Sequence, residues 1–222
     1  MSNRPCAVGG CSAPAKGFSP LCSAHRNNRD RHGHPQQTSV TTHDLRPYLR
    51  MVEARRARNP GNAAWSMLEQ RWSAAVSAAA DMLARWESGR ACVRWQVDAA
   101  DQLCKLHGTV APTAIINTAL AIFIMRAAEP RRFMSEQGFR HQLVRVVRRL
   151  APMSVGSYWN HKTQKVHKVY KDPAPRKVSF LADYLIAAFG LAGAQMAELE
   201  LNTEDRAAVA RQRLVDAIGA LA

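Results

Sequence analysis

Four side chains able to bind a metal fall inside residues 6–25: Cys6, Cys11, Cys22 and His25, spaced C-x4-C-x10-C-x2-H. A segment this short cannot bury enough apolar surface to hold its own shape, so its order depends on a staple. Three thiolates and one imidazole are the donor set of a tetrahedral structural zinc site. The intervening SAPAKGFSPL is rich in Pro, Gly and Ser and can turn back to bring the two pairs together. Disulfides are the competing explanation, but the chain holds five cysteines, an odd number. Its first residues, MSNRPCAVGG, lack the apolar core of a secretion signal. The expectation is therefore a zinc cofactor, reduced thiols and a cytoplasmic location.

The stretch CAVGGCSAPAKGFSPLCSAHRNNRDRHGHP (6–35) also resembles a short zinc module found at the start of phage endonucleases of the HNH type and related phage proteins. In that family the pattern runs Cys, four residues, Cys, a small loop ending in Leu-Cys, two residues, His, then a basic helix closing on His-Gly-x-Pro. The resemblance implies Cys6, Cys11, Cys22 and His25 as ligands and places Arg26, Arg29 and Arg31 on a DNA-facing helix. It departs at Arg26, where the family has an aromatic residue, and at His34, where it has an acid. These departures leave His32 and His34 open as substitutes for His25. The resemblance covers no more of the chain. The nuclease's catalytic His pair and Asn are not recognisable downstream, where His43, His107, His141, His161 and His167 stand isolated and read as surface or satisfied residues.

After the polar stretch 36–43, expected to be a linker, the chain reads as a mainly α domain over 44–222. Helices are expected over 43–59, interrupted early by Pro47, and over 62–88, 91–107 and from about Pro112 to 128. Trp65, Leu68, Trp72, Val76, Ala79, Leu83 and Trp86 recur at helical spacing and are expected to pack in a core rather than to stack on bases. Cys92 and Cys104 read as inert core thiols. The apolar run VAPTAIINTALAIFIM (110–125) falls short of the roughly 20 residues a membrane span needs, so it is expected as a buried helix. Two further helices, 178–199 and 203–221, close the chain. Ala207, Ala210, Leu214, Ile218 and Leu221 on the second offer a seam for homo-oligomerisation.

Charge directs attention to the middle of this domain. The chain carries 31 Lys and Arg against 17 Asp and Glu, a formal +14, which favours polyanionic partners. On a helix over 134–150, Phe139, Leu143, Val146, Val147 and Leu150 share one arc, while Arg140, His141, Arg145, Arg148 and Arg149 share the other. No acid lies between 137 and 150, so the arginine arc is expected to meet phosphates or guanine edges. A basic hairpin is expected over 155–171, with Lys162, Lys165, Lys168 and Lys171 among Tyr158, Trp159 and Tyr170. Helix followed by basic hairpin is the order of winged-helix DNA readers.

These features together predict a zinc-containing DNA-binding accessory or regulatory protein of phage or mobile-element type, with duplex DNA as partner, no membrane and no assigned catalytic step. A divergent zinc-module nuclease and a structural or inhibitor protein binding an acidic partner are the alternatives. The nuclease would need carboxylates around a second metal, and Asp98, Asp101, Glu129, Asp172 and Asp183 form no such motif.

Overall fold

A computed structural model of the chain describes residues 4–151, 156–169 and 172–219, with the side chains of 156, 167–169 and 204–219 outside the description. The fold is mainly α. In chain order it contains α1 (Ser23–His32), α2 (Thr42–Arg58), α3 (Ala63–Glu87), α4 (Arg94–Thr109), α5 (Pro112–Ala128), α6 (Glu136–Arg148) and α7 (Pro175–Gly219). A two-stranded antiparallel hairpin, β1 (Gly156–Asn160) and β2 (Lys165–Val169), stands between α6 and α7.

The helix starts follow from local chemistry. Thr41 caps α2 in a reciprocal box with Asp44, and Asn62 caps α3 through its side-chain oxygen. Pro112 opens α5, where a missing N–H costs nothing. Ser135 accepts from the Gly138 amide to start α6 at Glu136, two residues later than the pattern suggested. Pro47 does not interrupt α2. The helix carries it on an exposed side while Leu45 and Val52 are buried.

α5 is the hub. Ile115, Ile116, Leu120, Ile122, Ile124 and Met125 are fully buried, and α2, α6 and α7 pack around it. A helix apolar on every side needs such a complete coat, so the apolar run 110–125 is a core helix as expected. The tryptophan stripe is core as well: Trp65 and Trp72 are buried, Trp72 stacks on Phe189 at 5.9 Å, and its indole N–H donates to His107 Nδ1 at 3.1 Å. Burying side chains of this size contributes roughly 2–3 kcal/mol each. Trp86, at the far end of the stripe, is exposed.

The tail corrects the sequence reading. The expected break near Asn202 is absent, and a single helix runs 45 residues from Pro175 to Gly219. Its Leu181, Ala182, Leu185, Ala188 and Phe189 enter the core. At Gly193 the rim of Phe123 from α5 comes so near that a Cβ would sit 2.4 Å from its ring. The portion Pro175–Thr203 is long and apolar enough to cross a membrane by length and composition, a property shared by core helices of this kind.

Candidate metal centre

Cys6, Cys11, Cys22 and His25 come together with one ligand atom each, all within 4.8 Å of one another, and form a group that could hold a metal ion. His25 Nδ1 lies 3.4 Å from both Cys6 Sγ and Cys22 Sγ, and the Cys11 and Cys22 sulfurs are 4.0 Å apart. Among the described residues no other group of three or more His, Cys, Asp or Glu side chains converges in this way.

Short-range backbone pairing builds the cluster. Pro5 and Pro14 form an antiparallel bridge, and the Cys6 amide donates to Ala13 O at 3.1 Å. The Cys11 amide closes a turn onto Val8 O, and the Ala7 amide reaches Pro20 O at 2.9 Å. Gly10 and Gly17 supply positive φ at the two bends, 76° and 60°. Cys22 is the N-cap of α1, its sulfur accepting from the His25 amide, so the helix itself presents His25 one turn on. The Cys22 amide donates to Cys6 Sγ at 3.3 Å. This donation, with that from the Val8 amide, draws the Cys6 thiol down to about 6. A thiolate is the form a metal binds. Leu21 is the one large apolar side chain buried beside Cys6 and Cys22, so this segment has almost no core besides its ligands.

Position separates the three candidate histidines. His32 Nδ1 lies 3.2 Å from Gln142 Nε2 on α6, and His34 Nδ1 accepts from the Gln36 amide, so neither belongs to the cluster. His25 does.

The expected linker 36–43 is instead a clamp. Gln37 and Val40 are buried. Gln37 Nε2 donates to Arg132 O at 3.0 Å, its Oε1 accepts from the Met134 amide, and the Val40 amide donates to Gln142 Oε1 at 2.9 Å. Asn28 Nδ2 on α1 donates to Pro35 O at 2.7 Å and to Gln37 O at 3.0 Å, fixing the return of the chain. Gly33 ends α1 at φ +83°, and a Cβ there would lie 2.4 Å from the Gln137 carbonyl oxygen. The segment that carries the cluster is thus docked against α6.

That docking gives the arginine arc partners within the chain. α6 is covered on nearly all sides: His141, expected outside, is buried, as is Gln142, while Leu150, expected inside, is exposed. His141 packs against α1 with the Arg31 backbone as its nearest polar neighbour; burial lowers its pKa, and the interaction with the Arg31 backbone offsets part of that. Arg140 pairs with Asp183 and donates to Ser179 O on α7. Arg145 pairs with Asp172 at 2.9 Å. Arg149 donates to Val40 O, and the Arg148 Nε is buried without a partner. The acids missing from 137–150 arrive from elsewhere in the chain.

The remaining basic residues are more open. Arg29 and Arg31 are exposed and pair with Asp30 and Asp172, respectively, and Arg26 is half-buried. Lys162 and Lys165 are exposed at the hairpin end, with Tyr158, Trp159 and Val166 half or more exposed beside them. Trp159 stands directly across from Val166, and Lys168 across from Ser157, in the strand register. The Lys168 side chain and the whole of Lys171 and Tyr170 lie outside the described residues.

The sequence reading missed Asn28, Gln37, Gln142 and Asp172, which fasten α1 to α6. Only the Gly33 that follows the basic helix signalled a chain reversal there. No family model, curated protein or solved structure matches the chain.

Proposed function

We propose that the chain is a zinc-containing DNA-binding protein with an accessory or regulatory role, of the phage or mobile-element type that the resemblance of residues 6–35 implies. Its metal is a staple that closes the first 25 residues onto the start of α1, which the contacts of Asn28, Gln37 and Gly33 set against the rest of the fold. Zinc is supported by the donor set and by distance. Bonds of about 2.3 Å to sulfur and 2.0–2.1 Å to nitrogen put tetrahedral ligand atoms roughly 3.5–3.8 Å apart. The separations of 3.4 and 4.0 Å bracket that spacing.

The observation that carries the DNA reading is the hairpin. Residues 156–169 contain no acid, and Lys162, Lys165, Tyr158 and Trp159 are exposed on a two-stranded antiparallel ladder. Lysines there supply phosphate contacts that position a duplex without reading its sequence. The nuclease alternative lacks a second ligand cluster to build on among the described residues.

Elemental analysis should find about one zinc per chain. A gel-shift titration against duplex DNA, single-stranded DNA and RNA at two salt concentrations should show salt-sensitive binding, tightest to duplex. Replacing Lys162 and Lys165 with Ala should flatten the dependence of log affinity on log salt by about 2 units. An unchanged slope would remove the hairpin from the interface. Failure to bind any nucleic acid would overturn the reading in favour of an acidic protein partner, and metal-dependent nicking of plasmid would replace it with the nuclease.

A further inference from the structure

Where α1, α6 and the connection from β2 to α7 meet, two guanidinium groups hold one carboxylate and two more stand near it. Asp172 Oδ1 accepts from Arg145 Nη1 at 2.9 Å, and Asp172 Oδ2 lies 3.4 Å from Arg31 Nε. Arg148 and Arg149 lie close enough to feel the charges of both Arg145 and Asp172. One negative charge against four positive ones is poor compensation in a place where the Arg145 side chain is only 18% exposed. Hydrogen bonding is incomplete as well: Arg145 Nε and Arg148 Nε are buried and have no acceptor. Arg145 therefore uses one arm of a fork built for bidentate pairing. A carboxylate offers two oxygens, both engaged here. A phosphate group offers more acceptors at similar size, and its backbone repeat in a duplex brings more charge behind it.

We propose that Arg31, Arg145, Arg148 and Arg149 form a phosphate-binding subsite for the nucleic-acid backbone, and that Asp172 occupies it as an intramolecular plug. The inference rests on the DNA-binding reading and adds a regulated contact to it. Asp172 follows the end of β2 by three residues and precedes the start of α7 by three. A duplex engaged by the hairpin lysines therefore pulls on the segment that carries the plug, and phosphate replaces Asp172 on the arginines. The Arg140–Asp183 pair differs, because Asp183 is set within α7 and next to the Ser179 carbonyl that Arg140 also holds. That pair stays.

The test uses full-length chain with its metal. Asp172→Asn keeps the shape of the plug and removes its charge. It should bind a 20-base-pair duplex roughly fivefold or more tightly than wild type at low salt, with a log–log salt slope steeper by about 1 unit for the added phosphate. Pyrophosphate should raise the melting temperature of Asp172→Asn, and not of wild type, relative to chloride at equal ionic strength, because a ligand stabilises the state that binds it. Adding Arg145→Gln to Asp172→Asn should abolish both effects, and circular dichroism checks that each variant is folded. If wild type binds duplex and Asp172→Asn binds it with the same affinity and slope, the plug is overturned while the DNA reading stands. If neither protein binds duplex, both fall. If Asp172→Asn alone binds, the plug is supported in its strongest form. A variant that melts lower and gains nothing from pyrophosphate marks Asp172 as a structural ion pair and overturns the proposal.

Discussion

The metal-ligand cluster and the arginine side of α6 are both dense patches of polar chemistry, yet they are held by contacts of opposite range. Every group that shapes the cluster lies within the first 25 residues: Ala13 and Pro20 carbonyls, the Val8 turn, the Cys22 cap. The arginines of α6 are held from far along the chain. Asp172 is 27 residues from Arg145, Asp183 is 43 from Arg140, and the Val40 carbonyl is 109 from Arg149. The first patch can close on itself as soon as a metal is bound. The second acquires its environment only when α1, α6 and α7 have packed. A patch of the first kind is a module, whereas the second is a product of the fold and its charge cannot be read without its neighbours.

The largest effect that could break this contrast is loss of a cluster ligand. Structural metal sites of this type contribute apparent binding free energies of about 10–16 kcal/mol, and most of that is folding energy for the segment. Cys22→Ser removes one side chain of the cluster and leaves a hydroxyl that still caps α1. Elemental analysis should show metal falling from about one atom per chain to nearly none, and limited proteolysis should cut within residues 1–30. The domain from α2 to α7 should keep its helicity, since α5 and its coat form a separate core. Retained metal, or collapse of all helices together, would show that the cluster does not close locally.

A second substitution separates folding of the segment from its docking. Gly33→Ala forces a Cβ into φ +83° and to 2.4 Å from the Gln137 carbonyl. Strained backbone of this sort costs about 1–3 kcal/mol, and overpacking adds a similar amount. A loss near 3 kcal/mol lowers the melting temperature by about 6–12 °C in a chain of this size. Metal content should be unchanged. If metal is lost as well, closure of the cluster depends on α6 and the two patches are one unit.

This difference in range also explains what could be read in advance. Ligand type and spacing marked Cys6, Cys11, Cys22 and His25 because the chemistry and the geometry share one short window. Helical periodicity marked α2 to α6 and the buried tryptophans for the same reason. The stretch 36–43 looked like a linker because it is polar, but Gln37 is polar in order to cap the Arg132 carbonyl and the Met134 amide, partners almost a hundred residues away. The break placed at Asn202 relied on a cap residue, and helix propagation from the packed half of α7 overrides it. His141 sat on the polar arc of the wheel and is buried because α1 and the clamp cover that arc.

The smallest effect tests the second patch alone. Arg140 joins α6 to α7 through Asp183 and the Ser179 carbonyl, and Asp183 is 62% exposed on its side chain. An ion pair with one partner so open to water is worth about 0–1 kcal/mol, since solvent screens it and both side chains lose freedom to form it. Arg140→Ala should therefore shift the chemical-denaturation midpoint only slightly. It should leave duplex affinity and its salt dependence as they are in wild type, because Arg140 is already spent within the fold. A slope flattened by about 0.9 would mean that DNA draws Arg140 away from Asp183 to contact a phosphate. In that event the arginine side of α6 would be a surface that ligands can recover as a whole, and the local cluster and the remote-partnered face would no longer differ in kind.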